Sequence, residues 1–188
     1  HLSAYRRGWS AYVYAAHQME YSSNKAISVL KEALKLQCEA TPSNISLLLE
    51  ILEDEQRLNE LGPMLDRIIT ANPDTAALIV PALIDQLSQA LDGTRPKLFA
   101  ACLNVAQNQI DNNNDLAYLN HKIAELKNEK KRLDSYEFFR QEAIIVFKET
   151  QPPWFNEGML DRKGVRDVIE PLLDDQIEQG KNLQMLTT

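Results

Sequence analysis

The chain has 188 residues and a net charge of −7, with 44% hydrophobic and 25% charged residues. This composition supports a buried core, and its acidic balance disfavours binding to a nucleic-acid backbone. The six glycines leave little material for phosphate-binding loops. No apolar run reaches the about 18 residues that a membrane-spanning helix needs. We therefore expect a helix-rich protein that does not enter a membrane.

The sequence carries no pattern typical of a reactive site. Cys38 and Cys102 lie too far apart for a metal-binding motif. The histidines (His1, His17 and His121) each stand alone. We therefore predict no enzyme activity, no metal and no cofactor, and two free thiols favour a reducing, cytoplasmic location. Because the chain begins at His1 rather than Met, we expect it to be part of a longer protein.

Apolar residues at spacings of three and four predict a series of helices in the first part of the chain. These predicted helices cover 4–20, 25–37, 45–56, 60–71, 76–91 and 95–110. The segment 41–44 predicts a break, because Thr, Pro, Ser and Asn all favour turns and caps. Thr94 is expected to cap the sixth helix after Gly93 ends the fifth, and Pro81 predicts a kink inside the fifth.

The pattern changes after a polar break at 111–115. Leucines and isoleucines over 116–133 have coiled-coil-like spacing. Asp134 and Glu137 match a capping box, which predicts the start of another helix. The segment 150–158 predicts a loop that contains Trp154 and Phe155, and shorter helices are expected over 160–179.

The strongest pattern is a repeat with a period of about 35 residues. The stretch Val13–Cys38 aligns with Leu48–Pro73, so that Val13 matches Leu48, Tyr14 matches Leu49 and Leu30 matches Leu65. A period of this length is typical of stacked helical hairpins, each of which buries its apolar face against the next.

These two stretches resemble the tetratricopeptide repeat. Ala26 and Ala33 stand at the small positions of its second helix, Leu30 stands at the large position between them, and Pro73 stands at the end of the second repeat. Four positions depart from the family pattern, namely Tyr14, Leu49, Leu61 and Ile68. The resemblance implies an all-α fold of antiparallel hairpins, stacked as a short right-handed α-solenoid. We expect this repeat region to cover 1–112, with a C-terminal helical extension over 113–188 that caps it.

The resemblance also implies a non-catalytic protein–protein interaction domain, an adaptor, scaffold or regulatory part of a larger protein. Its partner would be another protein or a peptide, bound mainly by the first helix of each hairpin. Candidate binding residues on these helices are Tyr12, His17, Glu50 and Glu53. Trp154 and Phe155 are further candidates, because loop aromatics often serve as contacts.

Two alternatives stay open. The chain could be a structural module that forms homo-oligomers through the helices at 116–147. It could also be an auxiliary part of an enzyme or of a nucleic-acid complex. The basic residues between Lys127 and Arg132 would then contact phosphates, although interspersed glutamates favour a solvated helix face.

Overall fold

The computed structural model describes residues 3–150, apart from the side chains at 139, 143, 144 and 146–148. These residues form seven α-helices and no strand, which confirms the predicted all-α class. The helices are α1 (Ala4–Gln18), α2 (Ser23–Leu34), α3 (Thr41–Asp54), α4 (Leu61–Ala71), α5 (Ala76–Gln89), α6 (Pro96–Asp111) and α7 (Asn120–Thr150). Short 3₁₀ helices at Leu58–Glu60, Pro73–Thr75 and Asn114–Leu119 precede α4, α5 and α7.

The predicted break at 41–44 is wrong, because α3 already begins at Thr41. Pro42 lies in the first turn, where its missing N–H removes no helical hydrogen bond. The N–H of Asn44 donates to the carbonyl of Ala40 over 2.9 Å, so the helical bonding starts before the proline. The first turn of α3 therefore consists of residues that sequence patterns assign to a turn.

Thr94 does not cap α6 as expected. Its N–H and hydroxyl both donate to Oδ1 of Asp92, over 3.0 and 2.7 Å. Between them, Gly93 adopts a φ of 82°, a left-handed conformation that glycine accepts at low cost. The turn therefore closes on itself, and α6 begins at Pro96 with Arg95 in the N-cap position.

The expected new helix at Asp134 is also wrong, because α7 runs without interruption to Thr150. Asp134 pairs with Lys130 one turn before it instead of capping a helix. Glu137 accepts hydrogen bonds from Arg140 (2.9 and 2.8 Å) and Gln141 (2.6 Å), which lower the pKa of its carboxyl to about 2. Both acidic residues thus stabilise α7 through ion pairs with residues one turn away on the same helix.

Helices of like position contact one another along the chain. α1 contacts α3 and α3 contacts α5, while α2 contacts α4 and α4 contacts α6. The pairs α1–α2 and α5–α6 also pack together, and α2 contacts α3. Leucine is the most frequent residue of the core between these helices, and Leu30, Leu48, Leu65 and Leu83 are fully buried.

Packing divides the chain into two units, His1–Leu126 and Lys127–Thr188. The core of the first unit continues past residue 112, because Leu116, Leu119, Ile123 and Leu126 all belong to it. The 3₁₀ helix that contains the first two of these residues contacts α6. The start of α7 therefore belongs to the first unit, and α7 continues into the second.

Candidate functional site

An open groove lies between the end of α3, the beginning of α4 and the first half of α6. We call it the α3–α6 groove, and its volume is about 620 Å³. Its lining includes Gln56, Asn59, Gly62, Ala100, Ala101 and Asn104. The groove arises where the 3₁₀ helix Leu58–Glu60 connects α3 to α4.

The lining combines small side chains with carboxamides. Gly62, Ala100 and Ala101 present little more than backbone and methyl groups, so another chain could approach closely. Asn59 and Asn104 each carry one amide donor group and one carbonyl acceptor. A polypeptide backbone offers the same two kinds of group. The groove is therefore chemically suited to holding a segment of another polypeptide chain.

Gln56 lines the groove in an unusual backbone conformation. Its φ is 56°, and among residues 3–150 it is the one non-glycine residue with a positive φ. Gln56 follows the end of α3. Its N–H donates to the backbone carbonyl of Glu53 (3.0 Å), and the N–H of Arg57 donates to the backbone carbonyl of Leu52 (2.6 Å). This is a Schellman motif, in which glycine normally takes the left-handed position. A glutamine there costs about 1 kcal/mol of backbone strain.

Glu53, a predicted binding residue, is already paired within the protein. Its carboxylate accepts hydrogen bonds from both Nε (2.7 Å) and Nη2 of Arg95, which lies 42 residues further along the chain. This bonding raises the pKa of the Arg95 guanidinium above its ordinary value, against the opposing effect of burial. The pair fixes the end of α3 to the start of α6 and thereby holds one end of the α3–α6 groove.

Cys102 lies on α6 and is fully buried. Burial raises the pKa of its thiol to about 12, and the nearby Arg95 only partly opposes that change. The thiol is therefore protonated at neutral pH, which makes it a poor nucleophile. Its contribution at this position is to packing.

A second surface lies on the outer side of α1. Arg6, Ser10, Val13 and His17 follow one another at spacings of four, three and four, which places them in one row on the helix. Trp9 and Tyr14 flank this row, and together with Ser10, Val13 and His17 they line a shallow groove of about 560 Å³. We call this region the α1 surface.

The predicted site residues lie in different places. His17 lines the α1 surface, and its ring makes an edge contact with Tyr21 at 5.3 Å between centroids. Tyr12 is half-buried against the core and contacts Trp9. Glu53 lines the α3–α6 groove, and Glu50 is exposed on α3. Trp154 and Phe155 lie outside the described residues.

Several groove residues were not predicted from the sequence. Asn59 and Asn104 are 45 positions apart and carry no motif. One signal was present: Gln56 and Arg57 follow α3 where a glycine would be usual. The other residues come together only through the packing of α4 on α6.

Two classes of site can be assessed within residues 3–150. No group of three or more His, Cys, Asp or Glu side chains there could hold a metal ion. In the same part of the chain, no helix has the length and apolarity to cross a membrane. Neither models of known protein families, nor curated proteins, nor solved structures give a significant match to this chain.

Proposed function

We propose that this chain is a non-catalytic protein-interaction domain that binds an extended segment of a partner protein in the α3–α6 groove. The observation that carries the proposal is the left-handed Gln56 on the groove wall. A strained residue persists where the rest of the structure holds it, and such residues concentrate at functional sites. Glycine would fit this turn without strain, but it has no side-chain carboxamide to present to a ligand.

The architecture that we propose is a short right-handed α-solenoid of three hairpins, similar to tetratricopeptide repeats. The proposed hairpins are α1–α2, α3–α4 and α5–α6; the first and third pack directly, whereas α3 and α4 are joined mainly through the 3₁₀ helix Leu58–Glu60. In such a stack, first helices contact first helices and second helices contact second helices. The succession of contacts from α1 to α3 to α5, and from α2 to α4 to α6, supports this arrangement.

The chemistry of the groove favours an extended partner segment over a small ligand. Carboxamides at Gln56, Asn59 and Asn104 can bond to successive peptide groups, and the small residues leave room for alternate side chains. Lys97, at the start of α6, adds a cation to the lining. We further propose that the domain works in the cytoplasm, since Cys38 and Cys102 are both free thiols.

The test is a selection of random peptides displayed on phage, carried out on the full chain. A variant with the groove filled, Ala100→Trp, serves for counter-selection, because Ala100 is an exposed residue of the groove lining. Ala77→Trp places the same side chain on the exposed side of α5 and is the matched control.

We expect enriched peptides to bind the wild type and Ala77→Trp with equal affinity. Ala100→Trp should bind them at least about tenfold more weakly, which corresponds to about 1.4 kcal/mol. Circular dichroism of each variant verifies that the helices are intact. Failure to enrich any peptide, or equal binding by both tryptophan variants, would argue against the groove as the binding site.

A second candidate function is homo-oligomerisation through α7. Phe138 and Ile145 are 45% and 50% exposed, and they lie seven residues apart, which places them on one side of the helix. Light scattering of the wild type and of a Phe138→Glu/Ile145→Glu double variant tests this function. An oligomer that the double variant dissociates would support it, whereas a monomeric wild type would exclude it.

A further inference from the structure

The α1 surface exposes large apolar groups that contribute little to folding. Val13 is 64% exposed and Tyr14 is 40% exposed, and both lie in the middle of a 15-residue helix. Valine is also a poor helix former, because its branched side chain is restricted by the preceding turn. Neither the core nor the stability of the helix therefore accounts for an apolar residue at position 13.

The corresponding residues of α3 show what kind of neighbour such a surface accommodates. In the 35-residue repeat, Val13 and Tyr14 match Leu48 and Leu49, and both leucines are fully buried. The helices that contact α3 are α1, α2 and α5. On α3, these repeat positions are therefore covered by the rest of the protein, whereas the matching positions on α1 are exposed.

The charge of the α1 surface differs from that of the whole chain. α1 contains Arg6 and Arg7 but no acidic residue, in a protein with a net charge of −7. Both arginines are exposed, and neither guanidinium forms an ion pair with any described residue. Lys25, from α2, lies over the ring of Tyr14 at 5.5 Å from its centroid. Cations thus stand both near the start of α1 and beside Tyr14.

Contacts between rings hold this surface in place before any partner binds. Trp9 makes edge contacts with Tyr5 and Tyr12, with centroid distances of 6.5 and 6.0 Å. Aromatic side chains that are already ordered lose little conformational entropy on binding.

We infer that the α1 surface docks an acidic amphipathic helix from another protein. The inference takes the equivalence of α1 and α3 from the proposed repeat, but it concerns a different surface from the α3–α6 groove. Apolar side chains of the partner would lie in the shallow groove around Val13, and its carboxylates would pair with Arg6, Arg7 and Lys25. The row from Arg6 to His17 is about 16 Å long, which matches three turns of a helix.

Two other occupants fit the surface less well. A second copy of α1 would bring apolar groups but no carboxylate for Arg6 and Arg7, because residues 4–18 contain none. A nucleic acid would meet only a few cations on a protein that is acidic overall, which is a weak basis for binding a phosphate backbone. Charge complementarity therefore selects an acidic helix.

The test uses a fluorescein-labelled helical peptide of about 18 residues, with leucine on one face and glutamate along both edges of that face. Fluorescence anisotropy follows its binding to the full chain. The control peptide has lysine in place of each glutamate. We expect the acidic peptide to bind with a micromolar Kd that weakens when salt rises from about 50 to about 500 mM, because exposed charges are then screened.

Four variants locate the binding. Val13→Asp and the double variant Arg6→Glu/Arg7→Glu should each weaken binding by at least about tenfold. Leu78→Asp, at an exposed apolar position of α5, is the matched control and should leave binding unchanged. Ala100→Trp should also leave it unchanged, so that failure of the α3–α6 groove and failure of the α1 surface give different results.

Four outcomes would overturn the inference. The lysine peptide could bind as tightly as the acidic one. Val13→Asp could behave like Leu78→Asp. The chain could sediment as a dimer that Val13→Asp dissociates, in which case the occupant is a second copy. A labelled single-stranded oligonucleotide could displace the peptide, in which case the surface binds nucleic acid.

Discussion

α1 and α3 occupy matching positions in the 35-residue repeat, yet their matching residues have opposite environments. Leu48 and Leu49 on α3 are fully buried, while Val13 and Tyr14 on α1 are exposed. The side chains at both places are large and largely apolar. The difference lies in the neighbours, because α1, α2 and α5 all contact α3. Burial in this fold is therefore set by which helices are adjacent, and the pattern within one helix does not determine it.

The largest expected effect tests this difference directly. Leu48→Ala should lower the free energy of unfolding by about 3 kcal/mol, because it leaves a cavity in a filled core. Val13→Ala removes apolar atoms from a solvated surface and should change the free energy by less than about 0.5 kcal/mol. Urea denaturation monitored by circular dichroism measures both. A similar loss for the two variants would show that α1 is covered as α3 is.

The second effect concerns the side of α1 that does face the core. A Cβ at Gly8 would overlap Sγ of Cys38 and lie 3.1 Å from Cβ of Ala40. Gly8→Ala should therefore cost about 2 kcal/mol of stability, although alanine is the better helix former. In a Cys38→Ala background the closest of these contacts is absent, so the cost should fall below about 1 kcal/mol.

Gly62→Ala is the matched control for Gly8→Ala. The nearest atom to a Cβ at Gly62 is Cγ2 of Val105, at 3.7 Å, which is an ordinary contact distance. This variant should be neutral or slightly stabilising. An equal cost of Gly8→Ala with and without Cys38 would mean that the close approach of α1 to the connection after α2 is not what requires glycine.

How far the sequence predicts this structure depends on the range of the interactions involved. The helices follow from apolar spacings within a few residues, as with Leu30 and Leu34 on α2. Local signals were misleading where one motif has two uses. Pro42 fits a helical first turn as well as a break, and Asp134 fits an ion pair with Lys130 as well as a cap. Tertiary packing decides between these uses, and a short stretch of sequence carries no information about that packing.

The candidate site was harder to predict for the same reason. The sequence identifies Glu53 as a polar residue on α3. Its ion-pair partner, Arg95, lies 42 residues further along the chain, so the pattern of α3 does not reveal the pair. The α3–α6 groove combines Asn59 and Asn104 from segments that meet only when α4 contacts α6. Nothing near either asparagine indicates that contact.

The smallest expected effect concerns the way the two helices end. After α3, Gln56 takes a left-handed conformation, whereas no residue after α1 does so. Gln56→Gly should raise the free energy of unfolding by about 0.5 kcal/mol, because relief of strain exceeds the added entropy of the unfolded chain. Gln56→Ala keeps the strain and should not stabilise. Urea denaturation of the two variants compares them, and equal stability would mean that φ at this position carries no cost.

The same two variants separate strain from recognition. Both remove the carboxamide of Gln56 from the α3–α6 groove, so both should weaken the binding of a selected peptide by a similar factor, about threefold to tenfold for one hydrogen bond. Only the glycine variant should be more stable than the wild type. A gain in stability together with a loss of binding would show that the glutamine is kept for its side chain. If the glycine variant binds as well as the wild type, Gln56 has no part in recognition, and the strain at the end of α3 needs another cause.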